Sequence, residues 1–328
     1  TVDSNILLIS KSKNKNQLKA CTFSENNIEI DKLNEYLIKH FVPKPKLNEE
    51  VWLLTNDKTS YLKNKIEKNG KPLKDYGFVI YRGILTGLNN AFIIDEDLKN
   101  TLIEKDAKNR ELLKPLIQGK NIRKYQYESS GLWLINTHNG IKEKNIPPIN
   151  ATRDYPEIFK HLENYLPEIQ NRVDKGNHWS NLRNCAYLNE FEKDKIIWQG
   201  VAKRIEFSLD TDKIFGDVTT FFMTGNNLKY FLAILNSKLL QYTLLNIYLE
   251  GDTFKSKNQI LQNFPIPDIK TEKQEIIIIL VDQILAAKAA NPKADTSVLE
   301  KQIDELVYKL YELTEEEIAI IEGGSNGK

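Results

Sequence analysis

Three scarcities narrow the class of protein to which this chain belongs. The 328 residues include two cysteines, Cys21 and Cys185, which form neither a disulfide framework nor a metal-binding spacing and suit a reducing, cytoplasmic compartment. Methionine occurs once, at Met223, and not at the start. The longest aliphatic run, residues 276–281, is far shorter than the ~20 residues that a membrane helix needs. We therefore expect a cytoplasmic protein with no membrane partner and, from its abrupt start, a fragment of a longer chain.

Motifs for chemistry are also missing. Lys120 follows Gly119, but Asn121 stands where a phosphate-binding loop has Ser or Thr. The four histidines are scattered with no ligand spacing: His40, His138, His161 and His178. We therefore predict no catalytic residue, no bound cofactor and no metal site in this chain.

Charge is divided unevenly along the chain, although the net charge is only +1. Residues 271–328 contain six basic and twelve acidic residues, which leaves 40 basic and 33 acidic residues in the preceding part. A mildly basic body is compatible with a nucleic-acid partner. Lysine and asparagine richness is equally explained by an AT-rich genome.

The segment 78–95 predicts a strand, a loop with two glycines and a second strand. Gly83 and Gly87 allow positive φ or close approach to another backbone. Arg82, Thr86 and Asn89 carry the donors and acceptors that read base edges or phosphates. A polar turn in a β-meander explains the same residues.

Other basic or polar loops add candidate DNA contacts. They occur at 119–125, at 172–184 (which combines Arg, Lys, Asn, His and Trp), at 203–204 and at 255–257. Ordinary surface turns are the alternative for each. With the segment above, the predicted DNA-binding residues are Arg82, Thr86, Asn89, Lys120, Arg123, Lys124, Arg183, Asn184, Lys203, Arg204, Lys255 and Lys257. Arg82 and Arg183 are the favoured base readers, and the lysines are favoured for phosphate.

Periodicity predicts the regular elements. Helices are expected at 59–68, 100–116, 155–166 and 227–248, the last interrupted at 236–238, and strands at 4–10, 17–23, 132–135 and 195–198. In the tail, capping boxes begin at Thr271, Ser297 and Thr314 and predict helices near 272–290, 297–312 and 315–322. A heptad seam predicts an antiparallel helical hairpin that packs on the body or on another subunit through these residues: Leu299, Ile303, Leu306, Leu310 and Leu313.

Several of these segments, taken in order, resemble the TaqI-like specificity domain of type IIG restriction–modification enzymes and related adenine-N6 DNA methyltransferases. The resemblance rests on GILTGLNNAFIID at 83–95, ELLKPLIQG at 111–119 with IRKY at 122–125, and RVDKG at 172–176. It continues through LAILNSK at 232–238, FPIP at 264–267 and LVYKLYELTEEEI at 306–318. VDSNILLI at 2–9 is similar to the last strand pair of the preceding methyltransferase domain.

This resemblance implies an α+β fold in which a mixed, β-rich target-recognition domain is followed by the helical hairpin. The implied division is 1–48 for the end of the methyltransferase domain and a linker, 49–270 for target recognition and 271–328 for the tail. Double-stranded DNA and the methyltransferase domain of the same polypeptide would be the partners. The longer parent would bind S-adenosylmethionine, and Mg²⁺ if it carries an endonuclease; this fragment would bind neither and would be non-catalytic.

Two alternatives belong to other classes. The chain could be a nuclease with acidic ligands that form no recognisable motif. It could also be a protein-interaction or dimerisation module built on the C-terminal helices.

Overall fold

The computed structural model describes residues 18–20, 30–40, 42–44, 57–202, 204–248, 254–255 and 258–325. The strands are β1 (Leu18–Ala20), β2 (Val42–Lys44), β3 (Lys71–Pro72), β4 (Val79–Arg82), β5 (Ile93–Asp95), β6 (Leu113–Ile117), β7 (Ile122–Arg123), β8 (Gln126–Tyr127), β9 (Leu132–Ile135), β10 (Lys195–Gln199), β11 (Val201–Ala202), β12 (Phe207–Asp210), β13 (Phe215–Gly216), β14 (Thr220–Thr224), β15 (Phe254–Lys255) and β16 (Pro265–Ile266). The predicted strand at 4–10 lies outside the described residues.

The helices alternate with these strands and then dominate the C-terminal part. They are α1 (Leu33–His40), α2 (Asp57–Lys68), α3 (Asn89–Phe92), α4 (Glu96–Lys105), α5 (Ala151–Asp154), α6 (Pro156–Glu163), α7 (Glu168–Asn171), α8 (Leu228–Leu235), α9 (Lys238–Thr243), α10 (Asn258–Asn263), α11 (Thr271–Ala290), α12 (Ser297–Leu310) and α13 (Glu315–Ser325). The predicted α+β class is confirmed. None of these helices combines the length and apolar character that crossing a membrane requires.

Two four-stranded sheets form the body of the molecule. The first has the order β12-β10-β14-β4 and is antiparallel throughout. The second has the order β13-β6-β9-β5, in which β13 runs parallel to β6 and the other pairs are antiparallel. The chain passes between the sheets four times, from β4 to β5, from β9 to β10, from β12 to β13 and from β13 to β14.

Strand β10 separates two hydrophobic clusters. Because successive side chains of a strand point to opposite faces, Ile196 and Trp198 enter one cluster and Ile197 enters the other. The first cluster also contains buried side chains of α8, α9 and the tail helices, including Ile277 and Val307. The second fills the space between the second sheet and helix α6.

The predicted helix 100–116 is wrong in its bounds. Asp95 accepts a hydrogen bond from the Leu98 backbone N–H at 2.9 Å, so helix α4 begins earlier, at Glu96. The Asp106 carboxylate bonds the backbone N–H of Lys108 and starts a new turn instead of continuing the helix. The following Leu113–Ile117 segment is strand β6, which pairs on both sides.

The three predicted tail helices are present, but their buried face differs from the predicted seam. Ile303 is fully buried as predicted, whereas the other four seam leucines are only partly buried. Val307, Tyr308 and Tyr311 complete the buried face instead. The face is wider than a heptad seam because α12 packs against α11 and also against α8 and α9 of the body.

Candidate nucleic-acid interface

Two of the four passages between the sheets, from β4 to β5 and from β13 to β14, meet at residues 216–220, here called the 216–220 turn. Gly83 donates its backbone N–H to the Thr220 carbonyl at 2.9 Å, and Ile84 donates to the Gly216 carbonyl at 2.7 Å. A Cβ at Gly83 would lie 1.9 Å from the Asp217 carbonyl oxygen. The first glycine of the loop therefore serves close backbone approach.

The same turn receives two further loops. Gly119 donates its N–H to the Thr219 hydroxyl at 2.9 Å, and Gly200 donates to the Thr219 carbonyl at 2.8 Å. Arg82 donates from Nε to the Val218 carbonyl at 3.2 Å. The turn thus places the Arg82 segment beside the basic loop that follows Gly119.

Thr86 does not reach the surface, so the structure does not support its predicted contact with DNA. Its side chain is buried, its hydroxyl donates to the Asn89 side-chain oxygen at 2.6 Å, and it accepts from the Leu88 N–H. Thr86 therefore fixes the start of helix α3. Asn89 itself is exposed, as a contact residue must be.

Arg172 holds the loop that contains Thr86 through buried hydrogen bonds. Its buried guanidinium donates to the carbonyl oxygens of Thr86, Trp179 (3.0 Å) and Asn181, and it lies 4.3 Å from the centre of the Phe92 ring. Burial lowers the pKa of Arg172 to about 10. This arginine is structural; it begins the 172–184 segment that the sequence marks for DNA contact, but it is not one of the predicted DNA-binding residues.

The 172–184 loop, comprising residues 172–184, is held in one conformation above this arginine. Gly176 donates its N–H to the Asn181 carbonyl at 3.1 Å. The Asn139 side-chain oxygen accepts from the Asn177 N–H at 2.7 Å, and its amide nitrogen donates to the Asn184 side-chain oxygen. The exposed Asn184 amide therefore has its nitrogen available as a donor.

The two favoured base readers lie on loops that contact each other, through Arg172 and Thr86 and through Asp174 and Gly87. Arg183 is exposed and pairs through Nη1 with Oδ1 of Asp174 at 2.9 Å. Tyr187 donates its hydroxyl hydrogen to the Arg82 carbonyl at 3.1 Å. Burial raises the pKa of Tyr187, and the charges of Arg183 and Arg82 partly oppose that rise.

A second basic group surrounds Glu206. Burial raises the pKa of the Glu206 carboxyl, and the charges of Arg123, Lys124 and Arg204 oppose that rise. Lys124 is also paired with Glu300 of helix α12 at 2.5 Å, so it reaches phosphate only if that pair opens. Arg123 donates to the backbone carbonyls of Lys120 and Ile122 and remains exposed.

The remaining predicted contacts are only partly described. Lys120 and Arg204 are exposed. Lys203 and Lys257 lie outside the described residues, and of Lys255 only the backbone in strand β15 is described.

Sequence reasoning missed Asp174, Asn139 and Val173. Asp174 and Asn139 are recognisable only through the partners that they meet across loops. Val173 is 96% exposed on the 172–184 loop. Its place between two charged residues, Arg172 and Asp174, is the sequence feature that could have indicated an exposed side chain.

The described histidines have structural surroundings. His161 bonds the Ala91 carbonyl at 3.1 Å and His178 bonds the Ser180 hydroxyl at 2.8 Å, while burial lowers the pKa of His138 and of His161. Burial raises the pKa of the Cys185 thiol. Within the described ranges, no three His, Cys, Asp or Glu residues lie close enough together to hold a metal ion.

Comparison with known proteins bears on this region. Residues 114–266 match the family model of the TaqI-like C-terminal specificity domain. The solved structure of the type IIL restriction–modification enzyme MmeI in complex with DNA matches with a TM-score of 0.52 at 10% identity, over 75% of this chain. The matched part is 35% of that protein, so this chain spans about a third of its length. The search of curated proteins gives no match. The family match over residues 114–266 thus confirms the resemblance to the TaqI-like specificity domain that the sequence motifs predict.

Proposed function

We propose that this chain recognises a specific sequence in double-stranded DNA as the target-recognition part of a restriction–modification enzyme. The observation that carries the proposal is the contact between the loops that bear Arg82 and Arg183. Arg172 donates to the Thr86 carbonyl, and Gly87 closely approaches Asp174. Arginine is the side chain that most often reads guanine in the major groove. The exposed Val173 offers an apolar contact of the kind that suits a thymine methyl group.

Exposed basic residues of the 119–125 loop, together with Arg204, suit the phosphate backbone. Lys120, Arg123 and Arg204 are exposed, and the Lys120 segment is joined through the 216–220 turn to the Arg82 segment. Contacts to phosphate fix the register of a protein on the duplex, and base contacts then select the sequence. The two groups together supply both kinds of contact.

Within a longer enzyme, each segment of this chain would have its own role. Residues 1–48 would complete an adenine-N6 methyltransferase domain, residues 49–270 would recognise the target, and residues 271–328 would form the tail. S-adenosylmethionine, and Mg²⁺ for any endonuclease, would bind outside this chain, which would be non-catalytic. The match to only 35% of the MmeI chain supports a larger parent.

Selection from a pool of randomised duplexes tests the function. The chain should retain a short motif at low salt, and retention should fall as salt rises, because phosphate contacts release counterions. Arg82→Ala and Arg183→Ala should each relax the motif at defined positions. Arg153→Ala is the control. Arg153 is an exposed arginine that pairs with Asp154, and both residues lie on helix α5, outside the loops that carry Arg82 and Arg183. Salt-sensitive retention without any motif would contradict sequence recognition by this chain.

Exposed apolar side chains on the tail favour a second candidate, a protein-contact surface. Ile276 and Ile279 of helix α11 are each 56% exposed, one helical turn apart. This candidate predicts a dimer in light scattering that Ile276→Glu abolishes. DNA binding that persists unchanged in Arg183→Ala would also favour it. The nuclease alternative predicts Mg²⁺-dependent cleavage of duplex DNA by the purified chain.

A further inference from the structure

Asp174 and Arg183 form an exposed ion pair whose position is fixed from both sides. Arg183 Nη1 lies 2.9 Å from Asp174 Oδ1, with side chains 52% and 33% exposed. A Cβ at Gly87 would lie 2.9 Å from both Cβ and the carbonyl oxygen of Asp174. On the other side, the neighbouring Arg172 is anchored to three backbone carbonyls. The pair is therefore presented to solvent on an ordered backbone.

A contribution of the Asp174–Arg183 pair to folding stability does not explain why the backbone at Asp174 is held by these contacts. An exposed ion pair contributes little to folding because water and salt screen it. The same chain has another exposed pair, Arg153 with Asp154, formed between adjacent residues at 2.8 Å. The support under Asp174 is better explained by a ligand that meets the pair.

The pair has the chemical pattern of one base pair. A guanidinium has five N–H donors, of which one serves Asp174, and a carboxylate has a second oxygen that accepts. In the major groove, guanine presents two acceptors, N7 and O6, and its paired cytosine presents the N4 donor. Adenine and thymine present a different order of donors and acceptors.

We propose that Asp174 and Arg183 read one G·C base pair as a unit, with Arg183 donating to guanine O6 and N7 and Asp174 accepting from cytosine N4. This inference rests on the proposed function and deepens it, because it assigns a base pair to a pair of residues. Asp174 also positions Arg183, so each residue depends on the other.

The test uses the full chain and the duplex that it selects. Each base pair of that duplex is replaced in turn, and the dissociation constant is measured for the wild type, Arg183→Lys, Asp174→Ala and the control Arg153→Lys. The wild type should prefer one G·C pair by about 5- to 150-fold. Arg183→Lys and Asp174→Ala should both reduce that preference towards parity at the same position and leave the other positions unchanged. The control should match the wild type.

The outcomes separate the inference from the function. A wild type with no preferred sequence overturns the proposed function and the inference with it. A preferred sequence whose G·C discrimination survives Asp174→Ala overturns the inference alone. The inference is also overturned if the two variants lose discrimination at different base pairs.

Discussion

Gly83 occupies a position in which a side chain has no room. A Cβ there would lie 1.9 Å from the Asp217 carbonyl oxygen and 2.5 Å from the Thr220 hydroxyl. Neither neighbour yields easily, because the Asp217 carbonyl and the Thr220 hydroxyl bond each other at 2.8 Å within the 216–220 turn. The connection from β4 to β5 therefore requires glycine at position 83.

Gly83→Ala should lower the free energy of unfolding by about 3 kcal/mol, because forced overpacking displaces main-chain atoms. Urea denaturation measures the change. The control is Gly323→Ala in helix α13, where a Cβ meets nothing within 4 Å and the expected change is within about 1 kcal/mol. Equal changes in the two variants would contradict the steric argument.

Gly87 combines a positive φ of 72° with the close approach of Asp174. Gly87→Ala should cost about 1 kcal/mol of stability from backbone strain and should also displace Asp174. Discrimination at the G·C pair assigned to Asp174 should therefore fall, as measured on the panel of substituted duplexes. Gly131→Ala is a matched control, because Gly131 has a φ of 66° and open space around its Cβ. It should share the stability loss and keep the discrimination.

At the scale of elements, the start of helix α13 follows a rule that the local sequence shows. Thr314 and Glu317 form the predicted reciprocal capping box, with bonds of 2.8 and 3.3 Å. Helix α12 begins at Ser297 as predicted, but Thr296 occupies the cap position and its hydroxyl bonds Glu300 at 2.6 Å. Such ends are predictable because the interacting groups are a few residues apart.

Contacts between elements are not visible in this local pattern. Asp304 of helix α12 accepts a hydrogen bond from the backbone N–H of Lys238, the first residue of helix α9, at 2.8 Å. The sequence gives no sign of this, because 66 residues separate the partners. Asp304 is buried, and burial raises its pKa to about 6.

The raised pKa of Asp304 gives a pH-dependent stability. Since the folded state holds the proton more tightly than the unfolded state, stability from this group is present below the ordinary aspartate pKa and is lost as the pH rises to about 6. Asp304→Asn should therefore exceed the wild type in unfolding free energy by up to about 3 kcal/mol above pH 7, a shift of about two pH units. The two proteins should converge near pH 4. Urea denaturation at both pH values measures this, and a constant difference would contradict it.

Neighbouring lysines of one loop should behave differently towards DNA. In the part of the chain that the structure describes, Lys120 has no carboxylate within 4.0 Å, whereas Lys124 is paired with Glu300. Lys120→Ala should reduce the slope of log binding constant against log salt by about 1, whereas Lys124→Ala should leave the slope unchanged. Fluorescence anisotropy over a salt series measures both slopes. A larger reduction for Lys124→Ala would mean that its ion pair opens on binding.

At the scale of the whole molecule, the tail helices belong to the same hydrophobic core as the first sheet. Ile277, Val281 and Ile284 of helix α11 are buried in the cluster that contains Trp198 and Phe207. The expected domain boundary at residue 270 stays a prediction. If it marks a domain, the two parts share one core.

Truncation after residue 270 should therefore give an unfolded or aggregated product, because it exposes the apolar faces of helices α8 and α9. Soluble yield and cooperative thermal unfolding measure the outcome. Truncation after residue 325 is the control, since it keeps every described tail residue. A soluble, cooperatively folded 1–270 fragment would contradict this expectation.

The pairing of distant strands set the limit of sequence prediction at this scale. Leu132–Ile135 and Lys195–Gln199 are found as strands near the predicted positions, because apolar runs of that length indicate strands. The parallel pairing of Phe215 with Leu116 leaves no mark in either segment. The partners of Arg172 are unpredictable for the same reason, since Thr86 lies 86 residues earlier in the chain. Residue chemistry therefore predicts which side chains could contact DNA, and only the fold shows which of them are exposed.

The 216–220 turn has a consequence for how such a protein changes over evolution. Gly83, Gly119 and Gly200 all attach to it through their main-chain N–H groups. The attachments therefore do not depend on the side chain at Arg82 or Lys120, the positions next to two of these glycines. A mutation at Lys120 alters the surface offered to a ligand while these three bonds remain, whereas a mutation at Arg82 also removes the bond from its Nε to the Val218 carbonyl. Variants of this chain with single replacements at Lys120 should therefore differ at this surface and still fold.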